Sequence, residues 1–518
     1  MLKKILLGLI IVIIVLLIIG FIVVKNYLAS FDQVALQIEK EVISEYKRDL
    51  DFSPYDLDSF DQYDKVYSLV HGKSIQVIQE ELLKGSFTSV DLCKYYLTRI
   101  QKFQDYNTVI QLNPNLLEEA KEVDKKIAAG DTSALFGVVV LVKDNIAAIN
   151  MNTAAGAYAL KELTTSRDAK LVADLKSEDA LIIGKANLSE WSNFISQPSS
   201  SGFSALGGQT KNAYGKFDVG GSSSGSSAAA ALDLATVTIG TETAGSLIFP
   251  AGQNSVVALK PTIGLLSRDL IIPIADAQDT AGVEARHVSD LNLVFNSILN
   301  VDSKDPATEI VKDYQVDTRI SSDFLLGKTI GLVNNGSDEM AAIVKELTEL
   351  DAKVIEIAMA SPENVDMMTV LNHGIIYDVK AFLNNPDVKT TFKSLNEIHA
   401  YNEEHPDVIP FGQVLHTNAL EGQYEGIDKL IENNKMASRK VIDDAFTDYE
   451  LDLILSMSNE LSGIYAPAGY PAITLPSGYR DNGEPYGLTF VGQALDDQVL
   501  IQAAYAYEVN YPKRKDID

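Results

Sequence analysis

Apolar residues fall along this chain in three patterns, each predicting a different kind of element. Residues 5–24 carry no charged or polar side chain at all. A helix of that length crosses the ~30 Å hydrocarbon core of a bilayer, so residues 1–29 are expected to form a membrane anchor. The run exceeds a usual signal-peptide core, and NYLASFD after it is a poor cleavage site, so the anchor is expected to stay attached. Residues 30–71 turn polar and acidic and predict a helical stalk. Beyond them the apolar runs shorten. FGVVVLVKDNI (136–146) is continuous over the length of a buried strand, and TVTIGTETAGS (236–246) is a β-rich run closing in a glycine turn. FLLGKTIGLV and AKVIEIA read as two more strands. MAAIVKELTEL between them places apolar residues at helical spacing.

Two of these runs end on reactive residue types. The first closes on Lys143, and a lysine at the end of a buried strand is partly desolvated, which favours its neutral, proton-accepting form. The second closes on an isolated serine, Ser246. Just upstream of it, GGSSSGSS (220–227) gathers serines on a glycine-rich turn. Hydroxyls there are accessible, and glycines let neighbouring backbone N–H groups converge on an oxyanion. A Ser/Gly/Ala run standing alone reads as a linker. One that runs on into TVTIGTETAGS belongs to a scaffold. GSSSG also matches the G-x-S-x-G nucleophile elbow, but KFDVG before it is too short and polar to be the strand an elbow requires. Ser44-Glu45-Tyr46-Lys47 matches S-x-x-K only incidentally. The histidines (His71, His287, His373, His399, His405 and His416) show no ligand spacing, so no metal is expected.

These residues resemble the amidase signature family of serine hydrolases. The similarity runs from about Gly72 to Arg514 through GSFTSVDLCKYYLTRI, GKANLSEWSNF, VALKPTIGLLSRDLIIPIADAQDTAG, AGYPAITLPSGY and YGLTFVGQ. It implies a Ser–Ser–Lys triad: Lys143 as base, Ser222 as bridging serine behind a cis peptide bond, and Ser246 as nucleophile. The backbone N–H groups of Thr243, Ala244, Gly245 and Ser246 become the candidate oxyanion hole. Asp144, Asn145, Ser223, Glu242 and Asp279 become supporting residues, and Trp191 core or pocket wall. No cofactor is implied. The implied fold is α/β, a large, mixed, mostly parallel twisted sheet covered by helices on both faces. Residues 72–518 would form the catalytic domain, with residues 302–452, where the similarity fades, lining the substrate funnel.

The chain departs from the commonest family pattern at Glu242 (usually Asp), Ala244 (usually Gly), Ile248 (usually Arg) and Val283 (usually Pro). The first three permit a decayed, non-catalytic binding protein. Against decay, GTET followed by a non-arginine residue, GSSSGSS, GGQTKN and SRDLIIP resemble the peptide amidases of the family. The expected reaction is hydrolysis of carboxamide C–N bonds, from peptide amides or from small-molecule or lipid amides. A formal charge of −28 (43 Lys and Arg against 71 Asp and Glu) excludes nucleic acid as partner. The single cysteine, Cys93, excludes an intramolecular disulfide. Lys3, Lys4 and the terminal amine before the apolar run predict a cytoplasmic N-terminus and an extracellular catalytic domain.

Overall fold

The computed structural model describes residues 44–517. In it the apolar runs assemble into one sheet of eleven strands. In chain order these are β1 (Val109–Leu112), β2 (Val139–Lys143), β3 (Leu181–Ala186), β4 (Val237–Glu242), β5 (Val257–Lys260), β6 (Thr280–Ala285), β7 (Thr329–Leu332), β8 (Lys353–Glu356), β9 (Leu453–Met457), β10 (Ala472–Tyr479) and β11 (Pro485–Val491). Across the sheet they run β1-β3-β2-β4-β6-β5-β10-β11-β9-β7-β8.

Strand β2 shows why its sequence is apolar without alternation. Val140 and Val142 enter one hydrophobic core, while Val139 and Leu141 enter the core on the opposite face. A strand covered on both sides has no polar face to display. The first of these cores also takes residues from helices Lys170–Ser177, Val288–Ser297, Met367–Leu383 and Asp497–Asn510. The second takes them from helices Ser89–Lys102, Leu116–Ala129 and Ser224–Ala231. The two strands expected from FLLGKTIGLV and AKVIEIA are β7 and β8, and the helix expected between them is Asp338–Glu349, N-capped by Ser337.

The sheet is mixed, but it is not mostly parallel. Only β2–β3, β2–β4, β7–β8 and β7–β9 pair in parallel; the other six neighbours, including the whole centre from β4 to β9, are antiparallel. Helical crossovers such as Lys170–Ser177 give parallel neighbours, whereas the tight return at residues 480–484 makes β10 and β11 a hairpin.

Residues 44–71 do not stand off the body as a stalk. Tyr55, Val66 and Val70 are buried in the same core as helix Ser89–Lys102. The Arg48 N–H donates to the Leu206 carbonyl at 2.9 Å. A narrow apolar stripe, Val66 and Val70 one turn apart, does this within an otherwise polar sequence. The described fold therefore begins well before Gly72. Among the described residues no helix is long and apolar enough to cross a membrane. The apolar run at 5–24, and residues 30–43 of the expected stalk, lie outside the described residues.

Candidate active site

Lys143 is the last residue of β2, and no part of it is exposed. Parallel pairing of Val142 with Ile239 carries the lysine alongside the Gly240–Thr241 end of β4. Its Nζ lies 2.8 Å from Ser222 Oγ, 3.0 Å from Ser223 Oγ, 2.9 Å from Thr241 Oγ1 and 3.1 Å from the Thr241 carbonyl. Burial pushes the lysine down to about 7; the carboxyl groups of Glu284, Asp279 and Glu242 pull the other way without overcoming it. At neutral pH much of this lysine is therefore the free amine, a hydrogen-bond acceptor for a hydroxyl proton.

The serine turn is held from both sides. The Gly221–Ser222 peptide bond is cis, as the family resemblance implies. The Ser222 carbonyl accepts the Ser189 N–H at 3.1 Å, and the Ser223 N–H donates to the Ser246 carbonyl at 3.1 Å. That second bond ties the serine cluster directly to the turn carrying Ser246. Ser223 Oγ also donates to the Thr241 carbonyl at 3.0 Å, so Ser223 belongs to the lysine network as closely as Ser222 does. Ser224, by contrast, points back to the Gly220 carbonyl at 2.6 Å and starts the following helix.

The turn after β4 shows why its sequence departures are tolerated. Glu242 Oε1 accepts the Gly245 N–H at 2.7 Å, and Oε2 accepts the N–H groups of Leu247 (2.8 Å) and Ile248 (3.2 Å). Three backbone donors thus replace the arginine that Ile248 displaces, and Ile248 itself is buried in a third apolar cluster with Leu461 and Tyr465. Exchange of Gly245 would strain the turn: its φ is +86°, and a Cβ there would stand 2.7 Å from Asn459 Nδ2. Ala244 has no such restriction, because its φ is not positive. Val283 pairs with Ile239 on one side and Leu259 on the other. A ladder residue with two neighbours suits valine better than proline, which has no N–H to give.

One expectation is corrected here. The Gly245 N–H is already committed to Glu242, so it is not available to an oxyanion. Among the described residues the N–H groups of Thr243, Ala244 and Ser246 make no hydrogen bond and remain as donors. Asp279 orders the adjoining loop: it accepts the N–H groups of Ile274 (2.8 Å) and Ala275 (3.0 Å) and the Thr243 hydroxyl. Burial pushes its carboxyl up to about 7, against those hydrogen bonds. A cleft lined by Asn145, Thr241, Thr243, Arg268, Asp276 and Asp279 opens beside this turn.

Of the two residues after the lysine, only Asn145 supports it. Asn145 Nδ2 donates at 3.0 Å to Thr241 Oγ1, the same hydroxyl that meets Lys143 Nζ. Asp144 instead accepts the Ala154 and Gly156 N–H groups and sits 3.6 Å from the buried ammonium of Lys185. It is not among the carboxylates opposing the lysine's shift. His287, the other conceivable base, follows the far end of β6 from Thr280 and bonds the Gly72 carbonyl at 3.1 Å. Burial, with Arg286 beside it, pushes its imidazole down to about 4. Trp191 is core, edge-on to the His416 ring at 5.2 Å between centroids. Thr241 and Glu284 are absent from the sequence reading. The lone acid in an otherwise apolar strand, AGVEA, was the available signal for Glu284; nothing in the sequence gives the parallel register that brings Thr241 to the lysine.

Residues 91–462 match the profile of the amidase family. The chain belongs to that family. An amidase is an enzyme acting on amide C–N bonds, and relatives agree across most of their length. A probable amidase of Arabidopsis thaliana is 34% identical over 461 residues, covering 84% of this chain and 89% of its own. An amidase family protein of Bacillus anthracis superposes with a TM-score of 0.85 at 35% identity, covering 89% of this chain and 96% of that one. The peptide amidase of Stenotrophomonas maltophilia superposes with a TM-score of 0.80 at 35% identity, covering 86% and 98%.

Proposed function

We propose that this amidase works through Lys143, Ser222 and Ser246 and an acyl-enzyme. The Lys143 amine takes the proton of Ser222 Oγ as that oxygen takes the proton of Ser246. Ser246 Oγ then attacks the amide carbonyl carbon, and the N–H groups of Thr243, Ala244 and Ser246 meet the oxyanion. Return of the proton through Ser222 to the leaving nitrogen breaks the C–N bond. Water, deprotonated by the same relay, adds to the acyl carbon and releases a carboxylate. The observation that carries this reading is the wholly buried Lys143 Nζ at 2.8 Å from Ser222 Oγ.

Peptide amides are the proposed substrates, supported by the likeness to a peptide amidase and by the GTET and SRDLIIP segments. We also propose that residues 5–24 tether the enzyme to a membrane with the catalytic domain outside, on the strength of the uncharged run and the two lysines before it. The test is ammonia release from a panel of peptide amides, primary amides and lipid amides. Activity on peptide amides that disappears in Ser246→Ala supports the reading; turnover confined to lipid amides would replace the substrate class, and an active Ser246→Ala enzyme would remove the nucleophile.

A further inference from the structure

Glu284 is the last residue but one of β6, between Thr238 of β4 and Ala258 of β5, with no exposed surface. It lies on the face of the sheet that also carries Gly240 and Glu242, against helix Ser224–Ala231. One carboxyl oxygen, Oε2, takes the Ser227 hydroxyl of that helix. The other, Oε1, is buried with no hydrogen-bond partner among the described residues. Its surroundings are informative. A Cβ added at Gly240 would stand 2.4 Å from Glu284 Oε1 and 2.7 Å from Ser223 Oγ. Without a side chain at this glycine, Glu284 Oε1, Leu247 Cδ2 and Ser223 Oγ converge on one place, which brings the carboxyl oxygen close to the serine that touches Lys143 Nζ at 3.0 Å.

We propose that Glu284 is a positioning residue of the acid–base machinery, its carboxyl group and the Lys143 amine forming one coupled pair. The proposal rests on Lys143 being the base. With one proton between them the pair has two forms: amine with carboxylic acid, which is active, and ammonium with carboxylate, which is not. Burial favours the first, holding Glu284 up to about 8 against the Ser227 hydrogen bond and the lysine. During acylation the proton from Ser222 goes to the lysine and returns to the leaving nitrogen; Glu284 keeps its own. The other charged groups facing the pair are Glu242 on β4, Asp279 before β6 and Lys260 on β5. Glu242 is engaged by three backbone N–H groups, Asp279 by the 274–275 backbone, and Lys260 by the Pro261 and Tyr470 carbonyls. None bridges Lys143 and Glu284.

The experiment is the rate of labelling by a fluorophosphonate probe as a function of pH, on the full chain, which needs no knowledge of the substrate. The wild type is expected to rise through two overlapping ionisations. Glu284→Gln, which keeps the shape but cannot ionise, should rise through one ionisation, with its midpoint lower by roughly half a pH unit or more. Ser227→Ala leaves Glu284 ionisable but removes a donor that favours its anion, so it should move the midpoint in the same direction. A folded Glu284→Gln protein whose profile overlays the wild type would overturn the proposal. If that variant does not fold, an unmoved Ser227→Ala profile does so instead. Failure of the underlying reading looks different: the rise would survive Lys143→Ala.

Discussion

At the scale of single residues, the chemistry turns on how burial treats charge. Lys143 works as a base only as an amine, and the amine predominates above the shifted value of about 7. The kcat/KM for amide hydrolysis should therefore be low in acid and rise with pH, with its principal inflection near 7. Lys143→Arg should fail as completely as Lys143→Ala, because a guanidinium does not deprotonate in a protein. A pH-independent rate, or an active arginine variant, would count against a lysine base. Glu242 acts through the backbone. Glu242→Ala leaves the buried N–H groups of Gly245, Leu247 and Ile248 without their acceptor, at a cost of about 1–3 kcal/mol each. Thermal melting should show the loss, and hydrolysis should fall with it because the Ser246 turn loosens. Gly245→Ala meets both a left-handed φ and Asn459, displaces the Ser246 turn and should cost on the order of 100-fold in rate; near-normal turnover would mean that this turn is softer than its geometry indicates.

At the scale of elements, the serine turn and the lysine strand meet because β2 and β4 lie side by side in parallel. Ser222→Ala should remove the relay and nearly all activity. Ser223→Ala loses one contact to the lysine and two to the Thr241 backbone, so it should be slower than wild type but well above Ser222→Ala. Ser224→Ala, whose hydroxyl bonds the Gly220 carbonyl, should act close to wild type. Equal losses at all three would show the cluster acting as a unit. This part of the site was legible in sequence: an apolar strand ending in lysine, a serine-rich glycine turn and a second serine after a β run each carry a local signature. Register is not local. Nothing in TVTIGTETAGS says that Thr241 reaches the lysine, or that Glu242 turns back to take the Gly245 N–H and removes it from the oxyanion donors. The predominance of antiparallel pairs was hidden for the same reason, since strand runs reveal their length and burial but not their neighbours.

At the scale of the whole molecule, polar composition concealed where the folded body begins. Residues 44–71 read as stalk, yet Tyr55, Val66 and Val70 complete the core beneath helix Ser89–Lys102. Removing residues 1–43 should yield a soluble enzyme that retains its activity. Removing residues 1–71 exposes that core and should lower the melting temperature markedly; two truncations of equal stability would return the segment to a stalk. In the full chain, accessibility of a C-terminal tag to protease on intact cells tests the proposed outward orientation.

The Ser–Ser–Lys reading as a whole meets its most direct test in mapping the fluorophosphonate adduct by mass spectrometry, in the wild type, Lys143→Ala and His287→Ala side by side. The account predicts a single adduct on Ser246 in the wild type and in His287→Ala, and its loss in Lys143→Ala. An adduct on Ser223 or Ser224, or wild-type labelling of Lys143→Ala together with an unlabelled His287→Ala, would contradict it.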